Sequence, residues 1–404
     1  MLDEFGNIII SPIQTMNSFT YILQGNTTNP NQRPQAPFSP TTIEVMRSCP
    51  LRVCFEASPG YERRIGFAAR VGTAFHRVMQ SFNESALPIT SPDAALEEAR
   101  LRFQRELQKQ IAEAASHPRE VGLPHDQSRV DRASEAILVE ARRSYDSGVV
   151  GSPRLAPKAA NHQQAVSLDN NLPLIEVEVS VTSQDGLLHG RIDRVEHRPD
   201  GIWLSDYKSA LRDDLPERYE RQLQMYAYLW HQTRNEWPSG AQVIYPLVGT
   251  IHEVSLDQEK CLNIATEALQ LIQHLGEEHK IERLATPGDV CQVCDYRPWC
   301  RPFWQWQAKE NNTSQALAGA EWGFEGTIAR INLNNHHWQL QICWRTAQVQ
   351  LVAPEERFPH LAKANVGMGV RVLDTPLRGL RHQPQAIVSP RSEIFLILKD
   401  DQPL

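Results

Sequence analysis

The stretch GRIDRVEHRPDGIWLSDYKS, residues 190–209, predicts a β-hairpin. Its central RPDG, residues 198–201, favours a tight turn because proline fixes φ, aspartate can bond its own backbone and glycine accepts a positive φ. A turn that bends directly after Pro199 places Asp193 opposite Asp206, with Cβ atoms about 5 Å apart. The hairpin therefore brings two carboxylates to one place.

Two carboxylates this close repel each other unless a cation lies between them. Lys208 lies two positions past Asp206 and so shares its face of the strand. Carboxylate oxygens suit Mg²⁺ or Mn²⁺, and such a metal could activate water or stabilise charge on a phosphate. Lys208 would then orient that water or stabilise the developing anion. The alternative is a solvated hairpin face with an ordinary ion pair.

The composition is that of a globular protein: 404 residues, 41% hydrophobic and 22% charged, with a net charge of −7. No apolar run approaches the ~18–20 residues of a membrane span, and the acidic start MLDEFGN is unlike a secretory signal. We expect a soluble, cytoplasmic protein without a membrane partner. The negative charge means that any nucleic-acid surface must be local. The sequence has no G-x-x-x-x-G-K-[ST] loop and therefore no P-loop motor.

The chain divides into segments of different character. Residues 1–40 are polar and proline-rich and predict a flexible lead. TTIEVMRSC predicts the first helix, with Thr41 as its N-cap. Residues 84–165 predict a helical insertion, because they contain two amphipathic, charge-rich helices. Strand and helix patterns then alternate up to residue 310.

Residues 317–404 predict a small β-barrel-like domain. Five strand candidates surround one short helix in the order three strands, helix, two strands, which is the order of an OB-fold. A generic small barrel fits equally well. Aromatic and basic side chains here could stack on bases, or the tryptophans could be core residues; the candidates are Trp338, Trp344, His336, His337 and Arg345.

Three of the seven cysteines form a C-x2-C-x5-C run: Cys291, Cys294 and Cys300. Cys49, far upstream, is the fourth candidate ligand. Four thiolates can hold zinc or an iron–sulfur cluster. Either group would clamp the two ends of a long segment and so restrict the unfolded chain. Cys54 is an alternative ligand, although core packing is the preferred explanation for it.

Several motifs together resemble the PD-(D/E)XK nuclease superfamily. Asp193 followed by Asp206-Tyr207-Lys208 resembles its signature. The order of further motifs is similar to the RecB-like branch, which includes AddB-type nuclease domains and CRISPR-adaptation exonucleases. These motifs are GTAFH ending at His76, Q-x-x-x-Y at Gln222 and Tyr226, SCPLR at residues 48–52, and a carboxylate one strand earlier at Glu178.

The resemblance implies an α/β fold over residues 41–310: a restriction-endonuclease-like core, with helices flanking a mixed sheet, interrupted by the helical insertion. It implies that His76, Asp193, Asp206 and the Tyr207 carbonyl bind Mg²⁺ or Mn²⁺, with Lys208 assisting. Gln222 and Tyr226 would line the active site and help to hold DNA. By the same resemblance, the three cysteines of the C-x2-C-x5-C run and Cys49 would together hold a [4Fe–4S] cluster.

The implied activity is a metal-dependent DNA nuclease, an exonuclease acting on single-stranded DNA or DNA ends in repair or recombination. A separate helicase would be a natural partner. The alternatives are a nuclease of CRISPR adaptation, a non-catalytic DNA-binding or assembly subunit, and a zinc-stabilised enzyme acting on another phosphodiester such as RNA. Arginines near the first motif and the cysteines could form a basic groove for phosphates: Arg47, Arg52, Arg63, Arg64, Arg70, Arg297 and Arg301.

Overall fold

The computed structural model describes residues 21–24, 30–84, 87, 90–117, 119–120, 124–146, 174–313, 322–380 and 383–398. Most of the predicted lead, the last part of the predicted insertion from residue 147 onward, and the start of the predicted C-terminal domain lie outside the described residues. No helix in the described part of the chain is both long and apolar enough to cross a membrane.

The helices and strands alternate in blocks along the chain. The helices are α1 Pro40–Ser48, α2 Pro50–Ala57, α3 Phe67–Glu84, α4 Pro92–Ser116, α5 Gln127–Asp146, α6 Glu217–Arg234, α7 Gln258–Glu277 and α8 Arg301–Thr313. The strands are β1 Ile22–Gln24, β2 Leu174–Thr182, β3 His189–Arg198, β4 Gly201–Tyr207, β5 Gly240–Tyr245, β6 Thr250–Val254, β7 Gly323–Asn334, β8 His337–Trp344, β9 Ala347–Pro354, β10 Gly369–Leu373, β11 Leu377–Leu380, β12 Gln383–Ala386 and β13 Glu393–Leu398.

The N-cap of the first helix lies two residues earlier than predicted. Ser39, rather than Thr41, is its N-cap, and the Ser39 Oγ accepts a hydrogen bond from the Thr42 N–H at 3.1 Å. Pro40 occupies the first helical position, where its missing N–H has no intrahelical acceptor to lose.

A five-stranded mixed sheet in the order β2-β3-β4-β5-β6 forms the centre of the first half. β3 and β4 are the predicted hairpin, and pairs such as Arg194–Ser205 and Arg198–Gly201 confirm the predicted register. β4 and β5 run parallel, with α6 as the connection between them. Helices α3 and α6 pack on this sheet. The architecture is a mixed α/β fold with helices flanking the sheet, consistent with the predicted restriction-endonuclease-like core.

Helices α3, α4 and α5 pack together beside the sheet. They share a hydrophobic core in which Phe75, Phe103 and Ile137 are fully buried. Two of these helices, α4 and α5, lie within the predicted insertion. The insertion is thus fastened to α3, the helix that carries the GTAFH motif.

An eight-stranded sheet follows, in the order β1-β13-β10-β7-β8-β9-β12-β11. Its strands β7, β8, β9, β10 and β13 lie where the five strand candidates were predicted. The predicted helix is a short 3₁₀ turn, Pro359–Lys363, and β11 and β12 were not predicted. β1, from the predicted lead, pairs in parallel with β13. Whether this sheet is an OB-fold remains a prediction.

A buried ion-pair network joins the helical part, the cysteine-bearing loop and the eight-stranded sheet. The Arg119 guanidinium is 1% exposed and donates two hydrogen bonds of 2.8 Å to the Glu393 carboxylate. It also donates to the Asp295 carbonyl at 2.9 Å. Arg297 donates to Asp374 at 2.8 Å. The network links residues that are far apart in the chain.

Candidate active site

All seven residues predicted for the active site line one cavity of about 770 Å³. They come from four separate elements. α3 supplies one residue, the β3–β4 hairpin and its end supply four, and α6 supplies two: His76, Asp193, Asp206, Tyr207, Lys208, Gln222 and Tyr226. The fold therefore brings together side chains that lie up to 151 positions apart in the sequence, counted from residue 76 to residue 226 inclusive.

Asp193 lies at the centre of the cavity. Its Oδ2 accepts a hydrogen bond from the Tyr207 N–H at 2.8 Å, so the end of β4 holds this carboxylate in place. His76 Nδ1 lies 4.0 Å from the same Oδ2. That separation is too long for a hydrogen bond, and it leaves both groups available to a shared ligand.

Asp206 belongs to a chain of polar side chains. It is 3% exposed, and its Oδ2 lies 2.6 Å from Lys208 Nζ. Gln222 accepts a hydrogen bond from Lys208 Nζ at 2.9 Å, and its Nε2 donates to Asp206 Oδ1 at 3.3 Å. The same Nε2 lies 3.2 Å from the Tyr226 hydroxyl. The Q-x-x-x-Y motif thus orients the Asp206–Lys208 pair from one face of α6.

Burial and neighbouring charges shift the pKa values of three cavity residues. Burial and the Asp206 carboxylate both raise the pKa of Asp193 well above its ordinary value. Burial lowers the pKa of Lys208, but Asp206 outweighs this effect and the pKa lies above its ordinary value. Burial also lowers the pKa of His76, although Asp206 opposes the shift. Neutral imidazole is the form of histidine that binds metals.

Glu178 lies next to Asp193 on the neighbouring strand and contributes to its raised pKa. The β2–β3 ladder omits the pair of Glu178 and Asp193, and Glu178 has φ +52°. Along β3, burial changes phase at this point: Gly190 and Ile192 are buried, and the next buried residue is Val195. Asp193 nevertheless lines the cavity together with His189 and Arg191, the alternate residues of the same strand face.

The donor set suits a hard divalent cation. Two carboxylates and a neutral histidine surround one space, and Asp206 Oδ2 is buried with no hydrogen bond in the described structure, apart from its ion pair with Lys208. In the residues that the structure describes, no group of three or more histidine, cysteine, aspartate or glutamate side chains is arranged as a formed metal site. The chemistry of the ligands fits a metal, and their spacing would have to tighten around it.

The glycine of the GTAFH motif has a steric reason. A Cβ at Gly72 would overlap the Ser209 hydroxyl, so glycine lets α3 approach the segment that follows Lys208 without a shift of the Ser209 side chain. This approach places His76, one helical turn further on, beside Asp193.

The cysteine run and Cys49 lie near one another. Burial raises the pKa of the Cys294 thiol to about 11, and the Cys291 and Cys49 thiols add to the rise. Burial also raises the pKa of Cys300, again with contributions from the other three. All four are free thiols. The fold thus brings the four predicted ligands together, but their side chains are not arranged as a metal site in the described structure.

The predicted basic groove is not supported by the described contacts. Six of its seven arginines face carboxylates in ion pairs: Arg47, Arg52, Arg63, Arg64, Arg70 and Arg297. Arg70, for example, is 3% exposed and lies 2.6 Å from Glu120. In the C-terminal sheet Trp344 is buried and Trp338 is packed against the core, so the tryptophans are core residues.

Tyr219 and Arg129 are among the cavity residues that were not predicted from the sequence. Tyr219 lies one helical turn before Gln222, and Lys208 Nζ is 4.8 Å from the centre of its ring. Its helical spacing from the Q-x-x-x-Y motif was a usable signal. Arg129 comes from α5, and no motif in the sequence marks it.

Comparison with known proteins gives one family match. Residues 37–301 match the family described as the PD-(D/E)XK nuclease superfamily. No curated protein matches the chain. Among solved structures, the chain is similar to one titled "Crystal structure of SSO0001". The sequence identity is 13%, and the match covers 57% of this chain and 96% of that chain. The TM-score is 0.26, which is too low to support an argument.

Proposed function

The chain belongs to the PD-(D/E)XK nuclease superfamily, and we propose that it is a metal-dependent DNA nuclease of the RecB-like branch. The proposed activity is exonucleolytic hydrolysis of single-stranded DNA or DNA ends in repair or recombination. The observation that carries the proposal is the single cavity in which Asp193, Asp206 and Lys208 meet Gln222.

Each side chain has a role that follows from its contacts. Asp193, Asp206, His76 and the Tyr207 carbonyl would hold the divalent cation typical of this superfamily. A bound Mg²⁺ or Mn²⁺ would make water more acidic and stabilise charge on the phosphate. Lys208 would hold a water or a phosphate oxygen through its ammonium group.

Two residues of α6 keep these groups in order. Gln222 bridges Lys208 and Asp206, so that both keep their orientation when substrate enters. Tyr226 supports Gln222 through its hydroxyl. Precise placement of this kind is what makes a reacting pair efficient.

The four cysteines support a second part of the proposal. We propose that Cys49, Cys291, Cys294 and Cys300 hold a structural [4Fe–4S] cluster, because they are neighbouring thiols from the two ends of the nuclease region. Burial raises the pKa values of the Cys291, Cys294 and Cys300 thiols, and ligation to iron would convert the thiols to thiolates. Zinc is the alternative occupant.

The second candidate function is a DNA-binding or assembly subunit with an inactive nuclease scaffold. The ordered contacts among Asp206, Lys208 and Gln222 favour a catalyst, because an inactive scaffold has no need of them. A role in CRISPR adaptation is compatible with the same site and differs only in its partners.

The activity is tested with end-labelled single- and double-stranded DNA in Mg²⁺, Mn²⁺ or EDTA. Asp206→Asn keeps the shape of the side chain and removes its charge, and it should abolish cleavage. Asp200→Asn is the matched control, because Asp200 lies exposed at the turn of the same hairpin. Cleavage by Asp206→Asn at the wild-type rate would exclude the proposed site. A folded wild type that binds but never cuts DNA would favour the scaffold.

The cluster is tested by visible absorption and by iron and zinc analysis after anaerobic purification. Cys294→Ser should remove the brown colour and the iron. Cys343→Ser, at an exposed cysteine of the C-terminal sheet, should leave both unchanged. Stoichiometric zinc without iron would replace the cluster by a zinc site.

A further inference from the structure

Arg129 connects the helical insertion to the candidate active site. It lies in the first turn of α5, and its side chain lines the same cavity as Asp206 and Lys208. Its Nη1 donates a hydrogen bond to the Ser209 carbonyl at 3.0 Å. Ser209 directly follows Lys208, so the guanidinium lies next to the segment that presents the catalytic lysine.

The charge of Arg129 is less compensated than that of the other cations in the described lining. Lys208 lies 2.6 Å from Asp206, Arg191 lies 2.5 Å from Glu178, and Arg212 donates to Asp214 at 2.6 Å. The Arg129 guanidinium lies 3.6 Å from its carboxylate, Asp126, through Nε. That Nε is buried and has no hydrogen bond in the described structure.

Asp126 is engaged elsewhere. Its Oδ1 accepts hydrogen bonds from the Ser128 hydroxyl at 2.8 Å and from the Arg129 N–H at 3.2 Å, as the capping group at the start of α5. These bonds lower the pKa of Asp126. The carboxylate thus serves the helix end, while the arginine that faces it lines the cavity.

Helix stability does not explain an arginine at this position. The N-terminal end of a helix carries a partial positive charge, so a cation in the first turn is unfavourable there. A buried guanidinium nitrogen without a hydrogen bond adds a further cost. An anion in the cavity would offset the unfavourable charge, and the anion that a nuclease brings there is a phosphate.

We propose that Arg129 binds a backbone phosphate of the nucleic-acid strand beside the scissile one, so that the helical insertion forms one wall of the substrate site. This inference rests on the proposed nuclease function. Arginine suits the role because its planar fork binds two phosphate oxygens at once. The contact is with the backbone and should not depend on base sequence.

Loss of one charge-assisted contact should weaken binding about 10- to 100-fold. Loss of one phosphate contact should also reduce the slope of log affinity against log salt concentration by about 0.7 for a single strand. A residue that only supported the Ser209 backbone would change the affinity without changing this slope. The salt dependence therefore separates phosphate binding from a structural role.

The experiment measures the affinity of a fluorescent single-stranded oligonucleotide at several salt concentrations, in the cleavage-deficient Asp206→Asn protein. Arg129→Gln should weaken binding and lower the slope. Arg129→Lys keeps the charge and should restore the slope and part of the affinity. Arg142→Gln is the matched control: Arg142 lies on the same helix, is 53% exposed and pairs with Asp146 outside the cavity.

Each result has one meaning. Equal affinity and slope for Arg129→Gln and Arg142→Gln would overturn the inference while leaving the nuclease proposal intact. Weaker binding with an unchanged slope would make Arg129 a support for Ser209 only. If neither wild type nor Asp206→Asn binds DNA and wild type does not cleave it, the proposed function fails, and the role of Arg129 fails with it.

Discussion

The buried ion pair between Arg119 and Glu393 should be among the most sensitive positions for stability. The perturbation we choose is Glu393→Gln, which preserves the shape of the side chain and removes its charge. The variant leaves the Arg119 guanidinium, 1% exposed, without its charged partner. It also turns one of two acceptors toward Arg119 into a donor.

The magnitude follows from burial. Removing one partner of a buried pair typically costs about 3–5 kcal/mol of unfolding free energy, because an uncompensated charge remains. The Asp295 carbonyl still accepts from Arg119 at 2.9 Å, so we expect a value near the lower end. Glu355→Gln is the control: Glu355 pairs with the exposed His336 at 3.1 Å, and surface pairs contribute about 0–1 kcal/mol.

The assay is urea unfolding followed by tryptophan fluorescence, repeated at decreasing pH. Burial raises the pKa of Glu393, but Arg119 lowers it further, so the folded-state pKa lies below the ordinary value. The pair therefore stabilises the protein above about pH 4.3, the unfolded value, and its contribution is lost as the pH falls through the folded pKa. A cost for Glu393→Gln no larger than that of Glu355→Gln at pH 7 would refute the reasoning, as would a cost that does not shrink in acid.

Three further outcomes are expected. Gly190→Ala should lower the unfolding free energy by about 1–3 kcal/mol in thermal denaturation and reduce cleavage, because the new Cβ would lie 2.7 Å from the Tyr226 ring. Gly276→Ala is the control: a Cβ there meets open space in α7, so this variant should be neutral or stabilising in the same assay. Asp193→Asn should abolish metal-dependent cleavage and stabilise the metal-free protein at neutral pH, since the raised pKa of Asp193 means that its charged form destabilises the fold. The gain in unfolding free energy should vanish below about pH 3.9 and reverse with added Mg²⁺. A gain that persists in acid would contradict this. Ser39→Ala should cost about 1 kcal/mol in chemical denaturation, and no loss would show that the cap of α1 is dispensable.

The hairpin could be predicted because its determinants are local. The RPDG turn sets the register of β3 and β4, and the register places Asp193 near Asp206. The Q-x-x-x-Y motif could be placed on the cavity because its spacing is that of one helix face. The N-cap of the first helix was misplaced by two residues, although Pro40 at the first helical position points to Ser39 as the cap.

Other features depend on partners that are distant in the chain. The arginines near the first motif looked like a basic groove, but carboxylates from remote segments pair with them. The role of Arg129 could not be predicted, because α5 meets the end of β4 only through the packing of α3. The irregularity of the β2–β3 ladder at Glu178 was hidden as well, since a strand irregularity leaves no clear mark on residue types.

The parallel pairing of β1 with β13 matters for anyone who dissects the chain. A fragment that began at residue 37, where the family match begins, would lack Ile22–Gln24. The outer edge of β13, opposite Ile22 at Leu396, would then expose unpaired backbone N–H and C=O groups beside apolar side chains. Such an open edge is a template for strands of other copies. A fragment trimmed to the matched domain should therefore self-associate, because the short N-terminal strand that covers this edge would be absent.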